Sequence, residues 1–240
     1  MIVREHLYEG IYYDDGEFVF NFKEDNASHF INLKYNNTYV KENNKHVFYS
    51  YTFKRTTDKN IKKLFLKALK YKDKTLIKEN DYDLFLKKAV MGLLREIDRD
   101  IDIIVYPKFS SPLNSDIALA IKNRLGHDDI IAQDLIIKNN IENIIVDKSK
   151  ISDKTAKRLM ISAGKDGEVT LKNIPPQFRK YFSNFLKFDS EIQRNYLNKL
   201  RGNVLIVDDI LAKGTTMIEV ENLIRSLNPT SVVKYALLKS

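Results

Sequence analysis

Residues 203–217 read NVLIVDDILAKGTTM. Four apolar residues, Val204 to Val207, run directly into Asp208 and Asp209. Gly214, Thr215 and Thr216 follow, and TTMIEVENLIRSL (215–227) then repeats apolar residues at helical spacing. A short, wholly apolar run of this kind predicts a strand buried on both faces. Such a strand does not end in two adjacent carboxylates unless their charge has somewhere to go. A vicinal diol offers hydroxyl donors and a hydrated magnesium ion offers charge; either satisfies the pair. Beyond the acids, Gly214 lets the backbone approach a ligand closely. The hydroxyls of Thr215 and Thr216 and the free amides of the starting helix suit an anion, phosphate best. One loop therefore offers carboxylates for a diol on one side and a phosphate cradle on the other. A ribose 5-phosphate carries both groups.

Working outward, the same grammar recurs. IDIIVYP (101–107) predicts a short buried strand ended by Pro107. SDIALAIKNRLG (115–126) predicts a helix stopped by Gly126. DIIAQDLIIK (129–138) and SVVKYALLK (231–239) predict two further strands. Strands alternating with helices mean a parallel sheet covered on both faces, a Rossmann-like α/β fold. In such sheets ligands bind beyond the carboxyl ends of the strands, where Asp208 and Asp209 fall. Residues 140–200 interrupt the alternation with a long insertion. It holds a lysine-rich part (148–165), a Gly164/Gly167 turn, Pro175-Pro176 and a helical stretch near 177–200.

Residues 1–99 read differently. Aromatic and β-branched residues alternate with polar ones in IYY, EFVFNF, HFINLKY, TYV and HVFYSYTF, and Asp14-Asp15-Gly16, Asn36-Asn37 and Asn43-Asn44 separate them. An antiparallel meander of about four strands is expected over 1–53. Two helices follow, over 58–72 with Asp58 as N-cap, and over 81–98 starting at Asp81 or Asp83. The chain is thus expected to divide into an N-terminal accessory region, 1–99, and an α/β core, 100–240.

Composition narrows the chemistry. The 240 residues include no cysteine, which excludes disulfides, thiolate metal sites and cysteine nucleophiles. His6, His29, His46 and His127 show no metal-ligand spacing, and no serine sits in a Gly-x-Ser-x-Gly turn. No apolar run approaches ~18 residues, and the N-terminus lacks the apolar core of a signal peptide, so a soluble cytoplasmic protein is expected. The formal net charge is +8, and residues 54–74 concentrate it, with nine Lys or Arg against Asp58 and Asp73. Such a window suits a nucleic acid or anionic phosphates, or is simply a solvated helix face.

Val204 to Thr216 resembles the 5-phosphoribosyl-1-pyrophosphate (PRPP) motif of the type I phosphoribosyltransferases: apolar residues, two acids, a short spacer, then Thr-Gly-x-Thr. Two positions depart from it. Lys213 replaces the threonine before the glycine, and Ala212 stands where several members keep an acid that handles a proton on the base. The resemblance implies a Mg2+-dependent transferase with PRPP and a small-molecule base as ligands. It implies PRPP binding by Asp208, Asp209, Ala212, Lys213, Gly214, Thr215 and Thr216. Asp208 and Asp209 would be the catalytic pair and would hold the metal through water. The loop after the first core strand, Lys108, Phe109, Ser110 and Ser111, would take pyrophosphate; strand-then-proline is similar to the competence-associated members. Lys239, after Ala236-Leu237-Leu238, is similar to the base-contacting lysine of purine-salvage members. A mobile loop is expected within 140–200, with Lys148, Lys150, Lys154, Lys157 and Arg158 as candidate pyrophosphate contacts. A hood over the base would come from the N-terminal region or the insertion.

An enzyme is the preferred expectation. The alternative is a catalytically inactive protein on the same fold that senses PRPP or a nucleotide and binds nucleic acid or a protein partner. The basic window at 54–74 and Lys213 point that way, and a homodimer stays open.

Overall fold

The computed structural model describes residues 5–8, 11–14, 16–20, 47–52, 59–97, 100–108, 111–128, 130–165, 168–169, 173–211 and 214–239. Three short strands, β1 (Glu5–Tyr8), β2 (Ile11–Asp14) and β3 (Glu17–Phe20), pair antiparallel in sequence order. Then come β4 (Phe48–Thr52), α1 (Lys59–Tyr71) and α2 (Glu79–Glu96). The α/β part runs β5 (Ile103–Pro107), α3 (Pro112–Leu125), β6 (Ile131–Lys138). The insertion contains a 3-10 turn (Ile141–Asn143), β7 (Ile145–Val146), α4 (Asp153–Ala163), β8 (Gly164–Lys165) and β9 (Glu168–Val169). It continues with α5 (Pro176–Arg179), β10 (Phe182–Ser183), β11 (Leu186–Phe188) and α6 (Ser190–Leu200). The chain returns through β12 (Asn203–Leu211), α7 (Thr215–Arg225) and β13 (Ser231–Lys239).

The main sheet has six strands in the order β11-β6-β5-β12-β13-β4. All neighbours are parallel except β11, which adds antiparallel to β6. The fold is α/β, with a mostly parallel sheet flanked by helices. Alternation along each strand sorts the core into two layers. Leu205 and Val207 of β12 join the layer with α1, α2 and α3, whereas Val204 and Ile206 join the layer with α4, α6 and α7. All four are at most 1% exposed, as a strand covered on both faces requires.

The strand order places a switch point between β5 and β12. From β5 the chain crosses over through α3 to β6 on one side; from β12 it crosses through α7 to β13 on the other. The two crossovers use opposite faces, so a crevice opens at the carboxyl ends of β5 and β12. Their ladder runs from Ile103↔Val204 to Val105↔Ile206. After Val105 the register of β5 shifts and Pro107 aligns with Ile136 of β6. The strands therefore part just before Asp208.

The stretch 48–52 corrects the expected four-strand meander. It lies in the main sheet, parallel to β13, with Tyr235↔Phe48 and Lys239↔Thr52 in register. The reason is that its side chains find partners on α2 and β13. Tyr51 stacks on Phe85 at 4.4 Å between ring centroids and donates a hydrogen bond to the Phe85 carbonyl at 3.1 Å. The Ser50 hydroxyl donates to the Ala89 carbonyl and sits 2.6 Å from the Tyr235 hydroxyl. The expected strands within 29–40 and the Asp58 cap lie outside the described residues. α2 begins at Glu79, ahead of Asp81 and Asp83, because the Lys78 carbonyl already accepts from the amides of Asp81 and Tyr82. α3 ends as expected, with Gly126 at φ 71°. No helix among the described residues is long and apolar enough to cross a membrane.

Candidate functional site

Side-chain alternation on β12 decides where the acids go. Asp209 lies in phase with Leu205 and Val207, so it faces the layer of α1 and α3. There its Oδ2 accepts from the Ser111 hydroxyl at 2.7 Å and from the Lys70 ammonium at 2.7 Å. Ser111 ends the β5 loop and caps α3 in position, with extended φ and ψ of −67° and 159°. Its hydroxyl makes no capping bond to the helix, since it is turned to Asp209. One hydrogen bond thus joins the loop after β5 to the acids near the carboxyl end of β12, across the switch point.

Asp208 is half-buried beside its neighbour. Its Oδ1 accepts from the Asp209 amide at 2.9 Å and makes a long contact of 3.5 Å with Asn114 Nδ2. Burial pushes its carboxyl up to about 7, and the adjacent charge of Asp209 adds to the rise. The Asp209 amide, Asn114 and Lys70 oppose it. Asn114 is fully buried, and its Oδ1 has no hydrogen-bond partner among the described residues. Leaving such an acceptor unpaired costs about 1–3 kcal/mol, a strain of the kind that sites carry.

Two helix starts flank the acids. α3 begins after Ser111 with Pro112 at its first turn, and α7 begins after Gly214, held left-handed at φ 66°. Neither helix has a side-chain cap or an acid in its first turn. The first amides of α7 and the positive ends of both dipoles are therefore turned to where an anion could sit; in α3, Pro112 has no amide and the Asn114 amide donates to the Ser111 carbonyl. Phe109, Ser110, Ala212 and Lys213 lie outside the described residues. Of Thr215 the backbone opens α7; Thr216 is half-buried in that first turn.

The other expected site residues are placed less centrally. The Lys108 amide continues the β6 ladder by donating to the Ile136 carbonyl, and its half-exposed ammonium lies 3.8 Å from Asp189. It therefore points along the sheet toward β6. Lys239 stands at the end of β13, its ammonium 5.4 Å from the centre of the Tyr49 ring. Lys148 pairs with Asp153 at 3.1 Å on the surface of the insertion. The insertion is built from named elements over most of its length, and β11 extends the main sheet.

Two residues that sequence reasoning missed belong here. Asn114 interrupts the apolar stripe Leu113, Ile117, Ala118 and Ile121 of α3, and a buried amide in such a stripe was its signal. Lys70 has no signal that separates it from the other cations of 54–74. Among that window's described residues, Lys72 also pairs inward, with Asp116 at 2.9 Å.

The donor set bears on magnesium. No group of three His, Cys, Asp or Glu able to hold a metal occurs among the described residues. Asp209 Oδ2 is already held by a hydroxyl and an ammonium. The two carboxylates thus suit an ion reached through water and carried mainly on a ligand's own oxygens.

No family model and no curated protein matches the chain. Among solved structures, that of the allosteric regulatory enzyme of purine biosynthesis is similar over 65% of this chain, at 17% identity and a TM-score of 0.35. The chain spans 26% of that enzyme's length. So loose a likeness carries no functional weight.

Proposed function

We propose that the protein is a phosphoribosyltransferase, moving the ribose 5-phosphate of PRPP to a nitrogen nucleophile with release of pyrophosphate. The observation that supports this best is the Ser111–Asp209 hydrogen bond, because it brings both expected ligand loops to one crevice. In this reading Asp208 and Asp209 hold the ribose hydroxyls. The amides after Gly214 hold the 5-phosphate, and Ser111 with the start of α3 receives the pyrophosphate. The nitrogen attacks the anomeric carbon as the bond to the pyrophosphate oxygen breaks, and that oxygen keeps the electron pair. The chain contributes position and field, with no covalent intermediate. Magnesium bound to the ligand would screen the pyrophosphate charge. Ala212 offers no proton acceptor, so the nucleophile's proton passes to solvent or pyrophosphate. Lys239, at the carboxyl end of β13, with the Tyr49 ring beneath its ammonium, is the proposed contact for the base.

The test is pyrophosphate release from PRPP across a panel of purine and pyrimidine bases. Release that is lost in Asp208→Asn/Asp209→Asn supports the proposal. PRPP binding without turnover on any base would favour the inactive sensor instead. Lys70 and Lys72 engage acids of the core, which leaves fewer cations of 54–74 for a nucleic acid.

A further inference from the structure

Lys70 is supplied from outside the α/β core, by the last turn of α1, yet it ends on the motif's second acid. Its ammonium is 2.7 Å from Asp209 Oδ2, and its side chain keeps 27% exposure, so the pair is not sealed from solvent. Two adjacent carboxylates would repel an incoming phosphate ester. A fixed ammonium cancels one of those charges at the point where the ligand must approach. The same neutralisation is what a divalent ion would otherwise provide.

We infer that Lys70 is the built-in counter-cation of this site: it neutralises Asp209 in place of a divalent ion, so the crevice takes an anionic sugar phosphate without one. This rests on the proposed use of the crevice for PRPP. It also makes residues 59–71 part of the site, with α1 acting as a positioning element. Lys70 is a positioning residue, since it acts through Asp209. Its neighbour Lys72 pairs with Asp116 of α3, which ties the same turn to the helix that carries Ser111 and Asn114. The cation is thus braced against the element that delivers the hydroxyl.

The experiment is calorimetric titration of the full chain with PRPP, in excess EDTA and in excess Mg2+, for the wild type, Lys70→Met and Lys70→Arg. The wild type is expected to bind within about threefold equally in both conditions. Lys70→Met is expected to lose at least about tenfold in EDTA and to regain most of it in Mg2+. Lys70→Arg, which keeps the charge, is expected to stay near wild type in EDTA. A Met variant that binds like wild type in EDTA overturns the inference. So does a loss that neither Mg2+ nor arginine restores, because that is a structural defect. Wild-type binding that requires Mg2+ overturns the counter-cation role and leaves the transferase proposal standing. No wild-type binding in either condition overturns both.

Discussion

Asp208→Asn should make the ligand-free protein more stable at alkaline pH while removing its ligand. Burial and the charge of Asp209 move the Asp208 carboxyl from 3.8 up to about 7. Between those values the folded state keeps a proton that the unfolded chain has released. Its contribution to stability is therefore complete below the unfolded value and is lost as pH rises through the folded one. A lone group so displaced would carry about 4 kcal/mol, at about 1.36 kcal/mol per pKa unit. Asp208 is only half-buried, so solvent screens part of this and about 1–2 kcal/mol is the working magnitude. Asparagine keeps the side-chain oxygen that accepts from the Asp209 amide and removes the charge. For a chain of this size, about 1–2 kcal/mol raises Tm by roughly 2–8 °C. Thermal unfolding followed by circular dichroism at about pH 8 should show that rise, and below about pH 3.8, where both states hold the proton, the two proteins should nearly coincide. A variant no more stable than wild type at the higher pH would refute the reasoning, as would an equal gain at both. Loss of PRPP binding in the stabilised variant would mark the charge as held for function.

Ser111→Ala removes the hydroxyl between the two loops, and PRPP affinity should fall about tenfold, equivalent to about 1.4 kcal/mol, by calorimetry with the fold intact. Gly214→Ala forces a side chain into a left-handed backbone at φ 66°, so stability should drop by about 1–2 kcal/mol and phosphate binding should weaken with it. Behind α7, the Lys234 ammonium lies 2.6 Å from Glu221 with both side chains at most 5% exposed, and Arg225 holds the other Glu221 oxygen at 2.8 Å. Lys234→Met should therefore cost about 3–5 kcal/mol in chemical unfolding, and adding Glu221→Gln should recover part of the loss rather than add to it.

The parts of this fold that were legible in the sequence are those whose physics is local. Val204 to Val207 announce a doubly covered strand because no polar residue breaks the run, and the structure buries all four. Gly126 stops α3 because a helix C-terminus that turns left-handed favours glycine, and φ there is 71°. Asp208 and Asp209 were legible as a candidate site because charge at the end of a buried strand needs a partner. What that partner would be was not legible, since Lys70 lies 139 positions earlier and only the packing of α1 on α3 brings it to Asp209. Strand 48–52 failed for the same reason. Its alternation is compatible with an antiparallel neighbour, and only Phe85, Ala89 and Tyr235 decide that it lies parallel beside β13. Asn114 stands between the two cases. Its place in an apolar stripe was visible, but its meaning depends on Asp208 lying across the crevice. The motif thus specifies the acids and the loop proposed to take phosphate, whereas the ammonium that pairs with Asp209 comes from a region whose own sequence says only that it is basic.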